Sequence, residues 1–159
     1  MLRPDFLTEL FRLAKADGLS TLIDSNGTIP FAKYQELLEV TDGVMLDIKA
    51  FADADHQKVT DASNRIVLQN AVYLAENSKL YEVRAVIVPD LYDTEESVRQ
   101  MGAFLAPYLD IHEFRIKLIA YRPMGVREAY AHYRVPDQAY LRYLADILMT
   151  QGFKNIIII

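Results

Sequence analysis

The chain has 159 residues, 52% of them apolar, enough to bury one ordinary hydrophobic core, so residues 1–159 are read as a single domain. A net charge of -5 lacks the basic excess that holds a phosphate backbone, which excludes nucleic acid as an expected partner. Cysteine is absent, which excludes disulfides, a thiol nucleophile, thiolate zinc and cysteine-ligated iron-sulfur clusters within these residues.

Pro4 suits the first position of a helix, Phe6, Leu7, Leu10, Leu13 and Ala14 repeat at helical spacing, and Gly18 supplies a stop. Thr21-Leu22-Ile23 reads as a strand that runs into the turn residues Asp24-Ser25-Asn26-Gly27. A helix with Phe31, Tyr34, Leu37 and Leu38 follows, and Thr41-Asp42-Gly43 breaks it before a second strand, Val44 to Lys49. Asn64 is placed to cap a helix that buries Val67, Leu68, Ala71, Val72 and Leu74, and Tyr81 to Val88 forms a strand closed by Pro89. Asp93 and Glu96 have capping-box spacing ahead of Val98, Met101 and Leu105. Phe114, Ile116 and Leu118 then alternate with Arg115 and Lys117 into Ile119-Ala120-Tyr121. After a loop containing Pro123 and Gly125, Pro136 starts a last helix with Tyr140, Leu141, Leu144, Ile147 and Leu148, and the terminal isoleucines read as a strand. Alternating helix and strand is the signature of α/β units on a parallel sheet. No apolar stretch reaches the length of a membrane span and Met1 to Asp5 lacks the apolar core of a signal peptide, so a cytoplasmic protein with no membrane partner is expected.

In α/β sheets and barrels, ligands bind at the carboxyl ends of the strands, where loops are free to carry polar groups. Asp24, Asp47 with Lys49, Asp90, and Tyr121 with Arg122 fall there. Taken singly, Asp24 and Asp90 are more simply turn or cap residues, Lys49 a solvated side chain, and Asp47 with Lys49 a surface pair. Arg84 interrupts the apolar run Val83 to Val88, where a charge is expensive unless paired or bound to ligand; Asp24 and Asp47 are its candidate partners. The histidines His56, His112 and His132 show no metal-ligand spacing and are read as surface or loop residues, so no metal site is assigned.

Val44-Met45-Leu46-Asp47-Ile48-Lys49 resembles the Asp-x-Lys strand of the radical S-adenosylmethionine enzymes that activate glycyl radical enzymes, the pyruvate formate-lyase activating enzymes among them. Leu22-Ile23-Asp24-Ser25-Asn26-Gly27, Glu36 to Asp42, Tyr73-Leu74-Ala75-Glu76, Val83 to Pro89 and Asp93 to Val98 resemble that family in the same order, and the likeness runs from about Leu7 to Gly125. The resemblance implies the C-terminal part of a partial, TIM-like (β/α) barrel whose parallel sheet lacks its first strands, and an S-adenosylmethionine site lined by Asp24, Asp47, Lys49 and Arg84. Arg122 stands where the family commonly has a histidine after its sixth strand. The loop Ala50 to Thr60 would border a substrate peptide. The family's three-cysteine loop, which holds a [4Fe-4S] cluster, would precede the first helix. An intact parent would therefore cleave S-adenosylmethionine reductively, with an electron donor, to install a radical on a glycyl radical enzyme, and this chain alone is expected to be inactive. The alternative is a cluster-free binding module for a nucleotide-like ligand or a glycyl radical loop. An unpaired edge at Thr21 to Ile23, with the apolar surface of the four terminal isoleucines, predicts a weak homodimer.

Overall fold

The computed structural model describes residues 3–159. Five strands, β1 (Leu22–Ser25), β2 (Gly43–Asp47), β3 (Leu80–Ile87), β4 (Arg115–Ala120) and β5 (Ile156–Ile158), form one parallel sheet in sequence order. Between and around them run α1 (Pro4–Ala16), α2 (Gln35–Glu39), α3 (Asp53–Thr60), α4 (Arg65–Glu76), α5 (Thr94–Leu105) and α6 (Gln138–Thr150). The architecture is α/β, with a parallel sheet in the manner of a partial (β/α) barrel.

Side chains alternate across each strand, so the sheet has two faces of different character. On one face Ile23, Val44, Leu46, Val83, Ala85, Ile87, Ile116 and Leu118 are buried with Val67, Ala71 and Leu74 of α4 and Leu141, Leu144 and Leu148 of α6. On the other, Asp24, Met45, Asp47, Arg84, Val86, Arg115, Lys117 and Ile119 keep part of their surface in solvent. The helices contact the sheet through the first face, α4 on β2 and β3, α6 on β4 and β5. The second face is left to long and charged side chains, and it carries the candidate site.

Two caps read from sequence take different forms. Asp93 accepts from the Glu96 amide at 2.9 Å and caps α5 as expected. Asn64 precedes α4 but gives it no side-chain cap; its amide donates to the carbonyls of Phe51 at 2.5 Å and Ala50 at 3.3 Å. The last helix begins at Gln138, two positions after Pro136, because Asp137 accepts from the Tyr140 amide and sets the start. Phe31 lies in a 3-10 turn ahead of a short α2, a correction to the single helix expected there.

The segment Ala50 to Thr60 is also corrected, since α3 occupies Asp53–Thr60. Its sequence carries no apolar stripe. His56, expected at the surface or in a loop, is buried on this helix, with Nδ1 2.8 Å from the Ala62 carbonyl.

The loop after β1 is held from within the core. Asn70 on α4, buried, donates to the carbonyls of Gly27 and Ile29, both at 2.8 Å, and accepts from the Phe31 amide at 2.9 Å. Gly27 adopts φ 70°, and a Cβ there would stand 2.7 Å from Leu46 Cδ1 and 3.2 Å from Val67 Cγ1, so both conformation and space require glycine. This fixes how the chain leaves Asp24. Among the described residues, no helix is long and apolar enough to cross a membrane.

Candidate functional site

The parallel register aligns the charged side chains in rows across the solvent-facing side of the sheet. Asp24 is opposite Met45, Met45 opposite Glu82, and Glu82 opposite Arg115; one step along, Asp47 is opposite Arg84 and Arg84 opposite Lys117. Asp24, Asp47 and Arg84 are thereby brought together on neighbouring strands. Lys49, two residues beyond Asp47, returns to the same side, and its Nζ donates to Asp47 Oδ2 at 2.7 Å.

Arg84 is the hub. Its Nη1 donates to Asp24 Oδ2 and its Nε to Glu82 Oε1, both at 2.6 Å, and its Nη2 lies 2.9 Å from the thioether of Met45. Asp24 was a candidate partner and is one; Asp47, the other, pairs with Lys49 instead. Burial works against the charge of Arg84, but Glu82 and Asp24 outweigh it and hold its guanidinium above its ordinary basicity.

Glu82 went unrecognised in the sequence. It is fully buried, yet it accepts from Arg84, from Arg115 Nε at 2.5 Å and from Lys117 Nζ at 3.0 Å. Burial pushes its carboxyl up; the hydrogen bonds from Arg84, Lys117 and Arg115 push it down further, and the net effect lowers it. The available signal was a repeated spacing of two, Glu82 with Arg84 on one strand and Arg115 with Lys117 on the next.

At the carboxyl ends of β2, β3 and β4, polar groups give way to a small apolar cluster of Ala50, Val88, Tyr92 and Tyr121, with Val86 and Tyr133 packed against it. Tyr92 donates to the Val86 carbonyl at 2.9 Å, and burial raises its phenol. Tyr121 donates to the Tyr130 carbonyl at 2.6 Å, and Asp90 accepts from the Arg134 amide at 2.9 Å; both tie down the stretch between β4 and α6. Arg122 is exposed on that stretch and forms no ion pair with the other four candidates among the described residues. The site therefore combines two carboxylate-cation pairs with an adjoining apolar cluster, of which Val86 and Tyr133 keep part of their surface in solvent. Such a surface suits a ligand that carries both signs of charge and an apolar or aromatic part.

No family model matches the chain. Among curated proteins it is 35% identical over 129 residues to the pyruvate formate-lyase 1-activating enzyme of Escherichia coli K12, which covers 79% of this chain and 51% of that one. The chain thus spans about half the length of that relative. Among solved structures it superposes with a TM-score of 0.83 on a domain of pyruvate-formate lyase-activating enzyme from Bacteroides vulgatus, at 21% identity over 99% of this chain and 91% of that one. It also superposes on Streptococcus suis SuiB bound to S-adenosylmethionine, with a TM-score of 0.69 and 16% identity over 96% of this chain and 35% of that one. At these identities the two structures speak for the fold alone.

Proposed function

We propose, from the premise that this chain is homologous to pyruvate formate-lyase activating enzymes over most of its length, that it is the S-adenosylmethionine-binding part of an activating enzyme for a glycyl radical enzyme. The observation that carries this reading is the convergence of Asp24, Asp47, Lys49 and Arg84 on one sheet face as two ion pairs. The amino-acid end of S-adenosylmethionine is a zwitterion, and partly exposed pairs of this kind exchange partners at small cost. Lys49 and Arg84 donate to the ligand carboxylate, while Asp24 and Asp47 accept from its ammonium and hydroxyl groups. Val86 and Tyr133, which pack on the buried cluster of Ala50, Val88, Tyr92 and Tyr121 and keep part of their surface in solvent, offer an apolar rest for the adenine. Arg122 reaches the ligand from the edge, and α3 with the preceding Phe51 borders a peptide from the partner.

A [4Fe-4S] cluster supplies the electron for reductive cleavage in this reading. With no cysteine among the 159 residues, its thiolates belong to the remainder of an intact parent, together with the site for the electron donor. The absence of cysteine also favours a second reading, a cluster-free module that binds a nucleotide-like ligand or a glycyl radical loop. An in-frame Cys-x3-Cys-x2-Cys upstream in the coding DNA decides for the first. Weak self-association is part of the proposal. The outer edge of β1 pairs with no strand among the described residues, and Phe6 and Leu13 of α1 are 64% and 67% exposed.

The ligand assignment is tested by calorimetric titration of the chain with S-adenosylmethionine. Millimolar binding that is lost in Asp47→Asn is expected. Affinity unchanged by that substitution overturns the assignment.

A further inference from the structure

The Glu82 cluster is over-supplied with cations. One buried carboxylate satisfied by one or two partners is enough to offset its desolvation, yet three cations, Arg84, Arg115 and Lys117, close on Glu82 within 3.0 Å. Asp24 takes Arg84 from the other side, and Asp47 is already neutralised by Lys49. One positive charge remains over in the group. It sits on a sheet face that no helix among the described residues covers, where Arg84 and Lys117 are opposite each other in the strand register and keep 19% and 18% of their side chains in solvent.

Donors remain over as well. Among the described residues Arg84 Nη2 meets only the Met45 thioether, a weak acceptor. Lys117 Nζ has Glu82 as its one recorded acceptor among the described residues, which leaves two of its three N-H groups unspent. Arg115 is less free: its Nε is held by Glu82, and its guanidinium lies over the Tyr81 ring at 4.5 Å. The arrangement holds cations at short range by a carboxylate that cannot neutralise them all.

We propose that this face of β3 and β4 is an oxyanion subsite, in which Lys117 and Arg84 bind a phosphate or carboxylate group of a small-molecule ligand. Glu82 and Arg115 act as positioning residues. The carboxylate draws the two ligand-binding cations to one point, and the stacked guanidinium adds attraction without competing for the ligand. Charge-assisted bonds of this kind are the stronger class of hydrogen bond, and the partial burial limits screening by salt. Arg84 serves both proposals, whereas Lys117 plays no part in the S-adenosylmethionine assignment, so the response of Lys117 and of its variants is what separates the two.

The test is NMR titration of the full chain with inorganic phosphate, and separately with sodium acetate, against sodium chloride of equal ionic strength. The Arg84 side-chain Nε-Hε resonance and the Lys117 backbone amide are expected to shift saturably in the millimolar range with phosphate, acetate or both, and not with chloride. A response to phosphate only assigns a phosphoryl ligand, and a response to acetate only a carboxylate. Lys117→Gln removes one of three cations from Glu82 and is expected to abolish saturation, while Lys117→Arg restores it. A response to none of the oxyanions, or one unchanged in Lys117→Gln, overturns the subsite. Oxyanion binding without S-adenosylmethionine binding sinks the cofactor reading and leaves this one standing.

Discussion

Asp47 and Arg84 face each other directly in the β2–β3 register, yet their side chains part: Asp47 closes on Lys49 at 2.7 Å, and Arg84 reaches Asp24 and Glu82 at 2.6 Å each. Each acid thus has a cation, and each cation has an acid on a different strand or loop. On the proposed reading, charges near a ligand are thereby kept in place without one large pair that ligand binding would have to break.

Glu82 is the member whose loss should be felt in stability. Removing one partner of a buried ionic group leaves the others uncompensated, and here three cations would face a neutral side chain. Because those cations keep some solvent contact, Glu82→Gln is expected to cost about 3 kcal/mol, the low end for a buried ion pair. Urea unfolding followed by circular dichroism measures it. A loss below about 1 kcal/mol would place the group with ordinary surface pairs.

The same residue sets a pH dependence. The folded-state carboxyl is held below its ordinary value of 4.5, so its contribution is fully present above that value and is lost as pH falls through the folded pKa. Asp42, held down by Lys15 and the Thr21 amide, and Asp53, held down by Ser63, the Asn64 amide and Gln57, add in the same direction. The urea midpoint should stay level from neutrality down to the ordinary carboxylate range and then drop. In Glu82→Gln the drop should be shallower. An equally steep acid limb in both proteins would remove Glu82 from the account.

What the sequence made legible follows from where each signal resides. Strands such as Val44 to Leu46 and Val83 to Ile87 announce themselves by apolar runs, and Arg84 stood out because a charge inside such a run demands a reason. Helix α3 stayed hidden because Asp53–Thr60 buries His56 and little else. Its order comes from Asp53 accepting the Asn64 amide at 2.8 Å and from Asn64 holding Ala50 and Phe51, contacts set by tertiary structure. Glu82 had only the repeated spacing of two to mark it, because an alternating charge in a strand is ordinary and its partners Arg115 and Lys117 lie more than thirty positions away.

Asn70 offers a test of how the site is held from behind. All three of its hydrogen bonds go to backbone groups of the segment from Gly27 to Phe31, which follows Asp24, and the residue is buried. Asn70→Ala leaves two carbonyls and an amide without that partner, at a cost of about 2 kcal/mol. Hydrogen exchange should quicken at the Phe31 amide well before it does in β3 or β4. Uniform exchange across the sheet and the loop would mean that the segment holds its place without Asn70.

The last prediction concerns what these residues do without a thiolate donor. Reductive cleavage of a sulfonium needs an electron delivered at the ligand, and a [4Fe-4S] cluster needs thiolate ligands that this chain does not contain. Binding should survive in weak form, since Asp24, Asp47, Lys49 and Arg84 are assembled by the chain's own strands. A millimolar dissociation constant, about -4 kcal/mol, is the expected scale. Anaerobic incubation of the chain with iron, sulfide, a strong reductant and S-adenosylmethionine, followed by chromatography, should yield no 5'-deoxyadenosine. The same treatment of a longer protein that carries an upstream cysteine loop should yield it, and Asp47→Asn in that protein should lower the yield. Turnover by the cysteine-free chain would overturn the assignment of the cluster to residues outside it.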